Sequence, residues 1–278
     1  MLPHSSPTQT GHITKTHLCG SFAWMLSNLL FLAMLSCTGG VCAGQETQET
    51  FKPDQSKIPV RAPEGAIVLL DENHLEFLSM KGEATDWSRD ADCLVAAKSP
   101  SHVNHIVSKW HFRDADIHVE FMVSDVAEGN SGIYIHGNYE MQIFNSFGKE
   151  EMNEHVEGAL YGFAKPLVNA SRKAGEWQVY DIRYKAPRRD TNGKITEPGS
   201  ITAWLNGQLV QKETRFEEPR SVYHPFRYGT TDYLKKIWSQ QLATQTGPMF
   251  LQDHGSPTRF RNVWIKPLDD KAFLYAPE

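Results

Sequence analysis

Two stretches of this chain, far apart in sequence, hold the side chains best suited to chemistry. In Tyr139-Glu140-Met141-Gln142-Ile143, strand alternation would turn Glu140 and Gln142 to one face, and Tyr139, Met141 and Ile143 to the other, toward a core. The stretch Gln252-Asp253-His254-Gly255 reads as a turn that presents an imidazole at a loop tip, where it can donate or accept a proton near neutral pH. His254 as a structural histidine bonded to backbone is the competing reading. Asp253 and His254 are adjacent, so an extended backbone turns them apart and they cannot pair with each other. Upstream, Gly129-Asn130-Ser131-Gly132 forms a turn whose glycines would let a ligand approach the backbone. Downstream, Arg259 and Arg261 share one strand face. One could clamp a ligand while the other holds Asp253 or Asp181, and Arg261 is the one expected to pair with a carboxylate. One carboxylate, one amide, one imidazole and a guanidinium make an inventory suited to a sugar.

The same strand argues against one chemistry. Glycosidases of the usual kind need two carboxyl groups about 5–9.5 Å apart. The positions four and five residues beyond Glu140 are Phe144 and Asn145, so two-carboxylate hydrolysis from this strand is not expected. The chain's other histidines, among them His102, His105, His111, His118, His136, His155 and His224, fall in no metal-binding spacing. No cofactor is therefore read from the sequence, although calcium held by loop carbonyls would leave no trace there. Cys93 reads as a small buried hydrophobe rather than a nucleophile. Asn169-Ala170-Ser171 is a glycosylation-type sequon that marks a loop expected to be exposed.

Positioning these groups falls to a run of short strands. The clearest is 115–124, where Ile117, Val119, Phe121 and Val123 alternate with His118, Glu120, Met122 and Ser124, one face buried and the other polar. Strands are also expected at 65–70, 93–96, 105–108 and 177–184. Asn206-Gly207 between two apolar-alternating runs is a hairpin signal, because both residues tolerate positive φ. One helix is expected at 232–242, capped by Thr230-Thr231, with Leu234, Ile237, Trp238 and Leu242 on its apolar face and Gly247-Pro248 as its stop. Many short strands with a single short helix indicate an all-β, two-sheet antiparallel sandwich.

Residues 1–43 read as a secretory signal peptide, with Lys15, an apolar run from Phe22 to Leu35, and Val41-Cys42-Ala43 as cleavage site. The run is short of the about 20 residues a membrane span needs, so no span is expected once the leader is gone. The protein is expected to be secreted or periplasmic, with a lipid anchor at Cys37 the less favoured alternative. Residues 44–64 read as a flexible spacer and 65–278 as the folded domain. Removing 43 of 278 residues leaves 235, one domain for a sandwich, with Cys93 the sole remaining cysteine and hence no internal disulfide. The net charge of −5 becomes −6 without Lys15, which argues against nucleic acid as a partner.

As an ordered set, several blocks resemble the 3-keto-disaccharide hydrolase family, formerly a domain of unknown function. They include Asn130-Ser131-Gly132-Ile133-Tyr134, Tyr139-Glu140-Met141-Gln142-Ile143, Tyr161-Gly162, Gly175-Glu176-Trp177, Leu251-Gln252-Asp253-His254-Gly255 and Arg259-Phe260-Arg261-Asn262-Val263-Trp264. The resemblance implies a concanavalin A-like jelly roll and a small carbohydrate substrate already oxidised at C3. A ketone there acidifies the C2 hydrogen, so one base can expel the C1 substituent by elimination and water can add afterwards. On this resemblance Glu140 and His254 are the base and acid, in an order left open. Asn130, Gln142, Asp253 and Arg259 would position the substrate, and Tyr134, Tyr161 or Trp177 would offer a ring face. His136 stands where many relatives carry a basic residue, and Pro219–Thr246 is longer than in simple members and is expected to form a lid or rim. A non-catalytic lectin-like module is the alternative.

Overall fold

The computed structural model describes Gln55 and residues 58–96, 104–125, 129–216 and 231–276. The expected leader at 1–43, most of the expected spacer, His102, His224 and the first part of the expected rim segment lie outside the described residues.

In chain order the strands are β1 (Ile67–Leu70), β2 (Phe77–Ser79), β3 (Ser88–Asp90), β4 (Cys93–Val95), β5 (Ile106–Phe112), β6 (Ala115–Met122), β7 (Ser131–Ile135) and β8 (Tyr139–Ile143). After a long loop come β9 (Trp177–Lys185), β10 (Arg188–Arg189), β11 (Ile195–Glu197), β12 (Gly199–Leu205) and β13 (Gln208–Phe216). Helix α1 (Asp232–Thr244) precedes β14 (Gly247–Leu251), β15 (Arg259–Pro267) and β16 (Phe273–Leu274). Among the described residues an eight-stranded sheet runs β13-β12-β9-β6-β15-β4-β3 with β1 added to β15. A six-stranded sheet runs β16-β5-β14-β7-β8 with β2 added to β5. All of their pairings are antiparallel. The result is the sandwich expected from the strand pattern.

Between the sheets lies one apolar core. The large sheet contributes Ile117, Val119, Phe121, Ile182, Tyr184, Ile201 and Phe260; the small one contributes Ile133, Ile135, Tyr139, Met141, Ile143, Met249 and Leu251. Alternation therefore sends Tyr134 and Phe250 to the outer face of the small sheet, where they join Val107 and the buried Tyr233, Leu234 and Ile237 of α1. Thr231 caps α1 by accepting from the Leu234 amide. The helix ends because Gln245 turns left-handed at φ 58° and its N–H returns to the Gln241 carbonyl. Gly247-Pro248 is thus not the stop but the start of β14, and Leu242 is exposed rather than packed. At the β12–β13 turn Asn206 and Gly207 take φ of 51° and 80°, as the hairpin signal requires.

The polar face of β6 departs from expectation, because His118 and Glu120 are fully buried. His118 Nδ1 meets Asp181 Oδ1 at 2.6 Å, and Glu120 accepts from Arg261 Nε at 2.9 Å and from the Val60 amide at 2.7 Å. Burial alone would lower the His118 pKa, but bonds to Asp181 and Glu120 raise it. Asn262 donates to the Val60 carbonyl at 2.7 Å. Val60, inside the stretch read as spacer, is therefore packed on the large sheet, and so is Gln55, whose amide donates to Asp181. Arg261 also reaches Asp92 at 3.0 Å, so its carboxylate partners are Glu120 and Asp92, not Asp253 or Asp181. Cys93 is buried, as a small hydrophobe would be. Asn169 is half-buried, and its amide spans the Ser146 and Lys149 carbonyls, so the sequon side chain ties a loop together.

Candidate functional site

The register of β7 on β8 builds the site. Tyr134 lies opposite Glu140 and Gly132 opposite Gln142, while β14 places Phe250 opposite Tyr134 on the other side. All of these point away from the core, onto the outer face of the six-stranded sheet. Two residues beyond Phe250, Gln252 shares that face, and its amide N–H bonds the Gly132 carbonyl at 3.0 Å. Ser131 Oγ donates to the Gln252 carbonyl at 2.7 Å, tying the loop after β14 to β7. Alongside β8 the chain at 159–161 runs as a further edge, with Gln142 N bonded to Ala159 O and Tyr161 N to Glu140 O at 3.0 and 2.9 Å.

The cavity these elements enclose has a volume of about 270 Å³ and is lined by Asn130, Glu140, Gln142, Tyr161, Gln252 and His254. It lies near the small end of the roughly 300–1,000 Å³ usual for ligand pockets, which suits one sugar ring. Glu140 is only 3% exposed, and burial pushes its carboxyl up to about 8, opposed by hydrogen bonds from Tyr134 and Gln252. Gln252 Nε2 also donates to the Tyr134 hydroxyl at 2.8 Å, which leaves the phenolic hydrogen for Glu140. Burial, and then the charge of Glu140, push the Tyr134 phenol well above its ordinary value, so it stays a donor. Gly132 has a specific reason to be glycine. A Cβ there would stand 2.4 Å from Glu140 Oε1, so the carboxyl occupies the space a side chain would fill. Gln142 donates to the His155 carbonyl at 3.1 Å, while its Oε1 and that of Gln252 are buried with no partner among the described residues.

His254 is exposed at the mouth. Beneath it, His105 Nδ1 accepts the Asp253 amide hydrogen at 3.1 Å, which leaves the ring hydrogen on Nε2. Burial, with His254 nearby, lowers His105 to about 4 and keeps it neutral. Among the described residues no group of three or more His, Cys, Asp or Glu side chains is placed to hold a metal ion.

The structure thus gathers Asn130, Glu140, Gln142, Tyr161 and His254 in one pocket and leaves others out. Tyr134 is wholly buried beneath the pocket as a partner of Glu140, not a ring face for a sugar. Asp253 is fully buried and accepts the Gly255 amide at 2.8 Å, which shapes the loop. Trp177 lies on β9 of the other sheet, with the Arg261 guanidinium stacked 4.0 Å from its ring. Arg259 pairs with Asp90 on that same sheet. His136 is buried in the β7–β8 turn and lines a different hollow. Gln252 and His105 were missed as site residues; the signal for Gln252 was its place two residues beyond Phe250.

Sheet order and pocket together define a glycosidase-like β-sandwich, and within that class the family is clear. The chain belongs to the 3-keto-alpha-glucoside-1,2-lyase-like domain family, whose model matches residues 44–266. It is similar to a solved structure described as a "putative glycosyl hydrolase" from Parabacteroides distasonis, at 31% identity and a TM-score of 0.61, over 75% of this chain and 86% of that one. A second structure from the same organism, described in the same words, matches at 20% identity and a TM-score of 0.47, over 70% and 89% of the two chains. No curated protein matches the sequence. Among the described residues no helix is long and apolar enough to cross a membrane.

Proposed function

We propose that the protein is an exported enzyme that cleaves small glycosides carrying a ketone at C3 of the sugar, by elimination. The observation that carries this reading is that, among the described residues, Glu140 is the only acid lining the pocket. A lone carboxyl is too few for acid-plus-nucleophile hydrolysis, but one base is enough when the ketone acidifies the neighbouring C2–H. A carboxyl near 8 is a stronger base than an ordinary glutamate and still ionises in the neutral range.

Glu140 carboxylate takes the C2 hydrogen as a proton, the C2–H electrons form a C1=C2 double bond, and the C1–O pair leaves with the glycosidic oxygen. His254, as imidazolium at the mouth, protonates that oxygen. The products are a 1,2-unsaturated 3-keto sugar and the free alcohol, and addition of water across the double bond completes net hydrolysis. Asn130 and Tyr161, with the unmatched amide oxygens of Gln142 and Gln252, hold sugar hydroxyls.

The test is incubation of the purified protein with a 3-keto-disaccharide and with its unoxidised parent, following alcohol release and the vinylic carbon signal by NMR. Turnover of the keto sugar alone, lost in Glu140→Gln, is the expected result. Saturable binding of the keto sugar without turnover would make the protein a lectin-like module. Equal turnover of both sugars would remove the elimination mechanism.

A further inference from the structure

At the β7–β8 turn lies a second hollow, of about 200 Å³, walled in part by α1. Its walls are His136 and Asn138 of the β7–β8 turn, Tyr184 of β9, Arg189 of β10, and Trp238 and Gln241 of α1. Tyr139 also reaches it, pointing to the reverse face from Glu140. The candidate site and this hollow share no lining residue.

Three of these side chains carry a buried polar atom with no partner among the described residues: His136 Nε2, Asn138 Oδ1 and Gln241 Oε1. The amide of Gln241 has a defined orientation, because its Nε2 donates to the His136 carbonyl at 3.1 Å, so the orphan atom is an acceptor. His136 Nδ1 meets the Tyr184 hydroxyl at 3.2 Å. Burial lowers the pKa of this ring to about 3 and keeps it neutral, against the Phe112 backbone, which favours protonation, and Nε2 has no partner among the described residues. The space around these groups is kept open in the backbone: a Cβ on Gly247 would stand 2.9 Å from both Gln241 Oε1 and the His136 ring. Buried polar groups ordinarily find partners, and three orphans at one cavity wall call for a guest that supplies them.

We propose that this hollow is a second binding site, for an uncharged sugar or small polyol, distinct from the Glu140 pocket. Two amide oxygens need hydrogens, and the imidazole nitrogen needs a donor or an acceptor according to its tautomer. A hydroxyl provides either. An anion, though drawn by Arg189, would set lone pairs against both amide oxygens. The half-buried Trp238 indole supplies the flat apolar face on which C–H groups of a ring pack. The inference stands independently of the cleavage proposed for Glu140.

Glucose, xylose and glycerol are the probes, titrated into the intact protein by calorimetry, with acetate as the anionic control. Expected is saturable binding of at least one neutral probe that weakens about tenfold in Asn138→Ala or Gln241→Ala, as loss of one or two hydrogen bonds implies, and that is unchanged in Glu140→Gln. Because turn and helix variants can fold poorly, Leu242→Trp provides a second arm. Leu242 is 65% exposed at the rim, so a larger side chain there obstructs the mouth without touching the core, and it should also weaken binding. Absence of saturable binding by all three neutral probes overturns the proposal, as does binding that Glu140→Gln removes and Leu242→Trp leaves intact. Tighter binding of acetate than of any neutral probe overturns the ligand class.

Discussion

Replacing Glu140 by Gln should stabilise the protein, and by an amount that depends on pH in a defined way. Burial raises the folded-state pKa of Glu140 from 4.5 to about 8, so the folded protein holds this proton more tightly than the unfolded chain does. The sign follows from linkage. A raised pKa leaves stability intact below the unfolded value and removes it progressively as pH rises from about 4.5, levelling off above about 8. At 1.36 kcal/mol per unit, a rise of three to four units corresponds to a ceiling of about 5 kcal/mol, and water entering the mouth would reduce that to about 2–5 kcal/mol. Glutamine has nearly the same shape and never ionises, so the wild type and Glu140→Gln should differ little in their pH trends below pH 4.5. The variant should then gain on the wild type up to pH 8. Urea unfolding of both proteins at pH 4.5, 6, 7 and 9 measures the gap, with equal m-values required for the comparison. A difference that stays constant across that range would refute a dry carboxyl, and with it the argument that Glu140 is a tuned base. Glu157, also fully buried and pushed by burial to about 8, adds a similar slope to both proteins and cancels in the difference.

Catalysis should follow the same ionisation in the opposite sense: kcat/KM on a 3-keto-disaccharide should rise about tenfold per pH unit along the limb set by Glu140 below 8, and that ascending limb should persist in His254→Ala, whereas its absence there would mean that Glu140 is not the base. Gly132→Ala should lower kcat by about a hundredfold or more, because displacement of a catalytic group by about 1 Å is that costly, and near-wild-type activity would mean the carboxyl is free to swing aside. Arg261→Ala removes one charged donor from the buried Glu120 carboxylate, which keeps Val60 and Asn262, and should destabilise the fold by about 2 kcal/mol, without a change in KM, since Arg261 and Trp177 sit on the other sheet from the pocket; a rise in KM in denaturant-free assays would place them in the site after all.

What a strand sequence discloses is a face, and what it withholds is the neighbour across that face. In β6, Ile117, Val119 and Phe121 were readable as core, yet His118 and Glu120 carry no local mark of burial. Their cover comes from Val60, Arg261 and Asn262, at sequence separations that no periodicity spans. Trp177 and Arg259 misled for the same reason. Each is a residue type that sugar sites use, but β9 and β15 lie in the eight-stranded sheet, and sheet membership is decided by non-local pairing rather than composition. The Asn206-Gly207 hairpin and the Thr231-capped helix were legible because their physics is local: two residues that accept positive φ, and a hydroxyl reaching an amide three residues on. Glu140 lies between these cases. Its alternation was plain, but a solvated glutamate alternates in the same way. The difference lies across the hairpin. The three-residue turn His136-Gly137-Asn138 sets Tyr134 against Glu140 and Gly132 against Gln142, giving the carboxyl a phenolic donor and a neighbour without a side chain. A slip of one residue would send Glu140 and Gln142 to the core face. The spacing Gly132-x-Tyr134 with Glu140-x-Gln142 is therefore the part of the sequence that encodes the site, and it becomes readable only once the turn between them is counted.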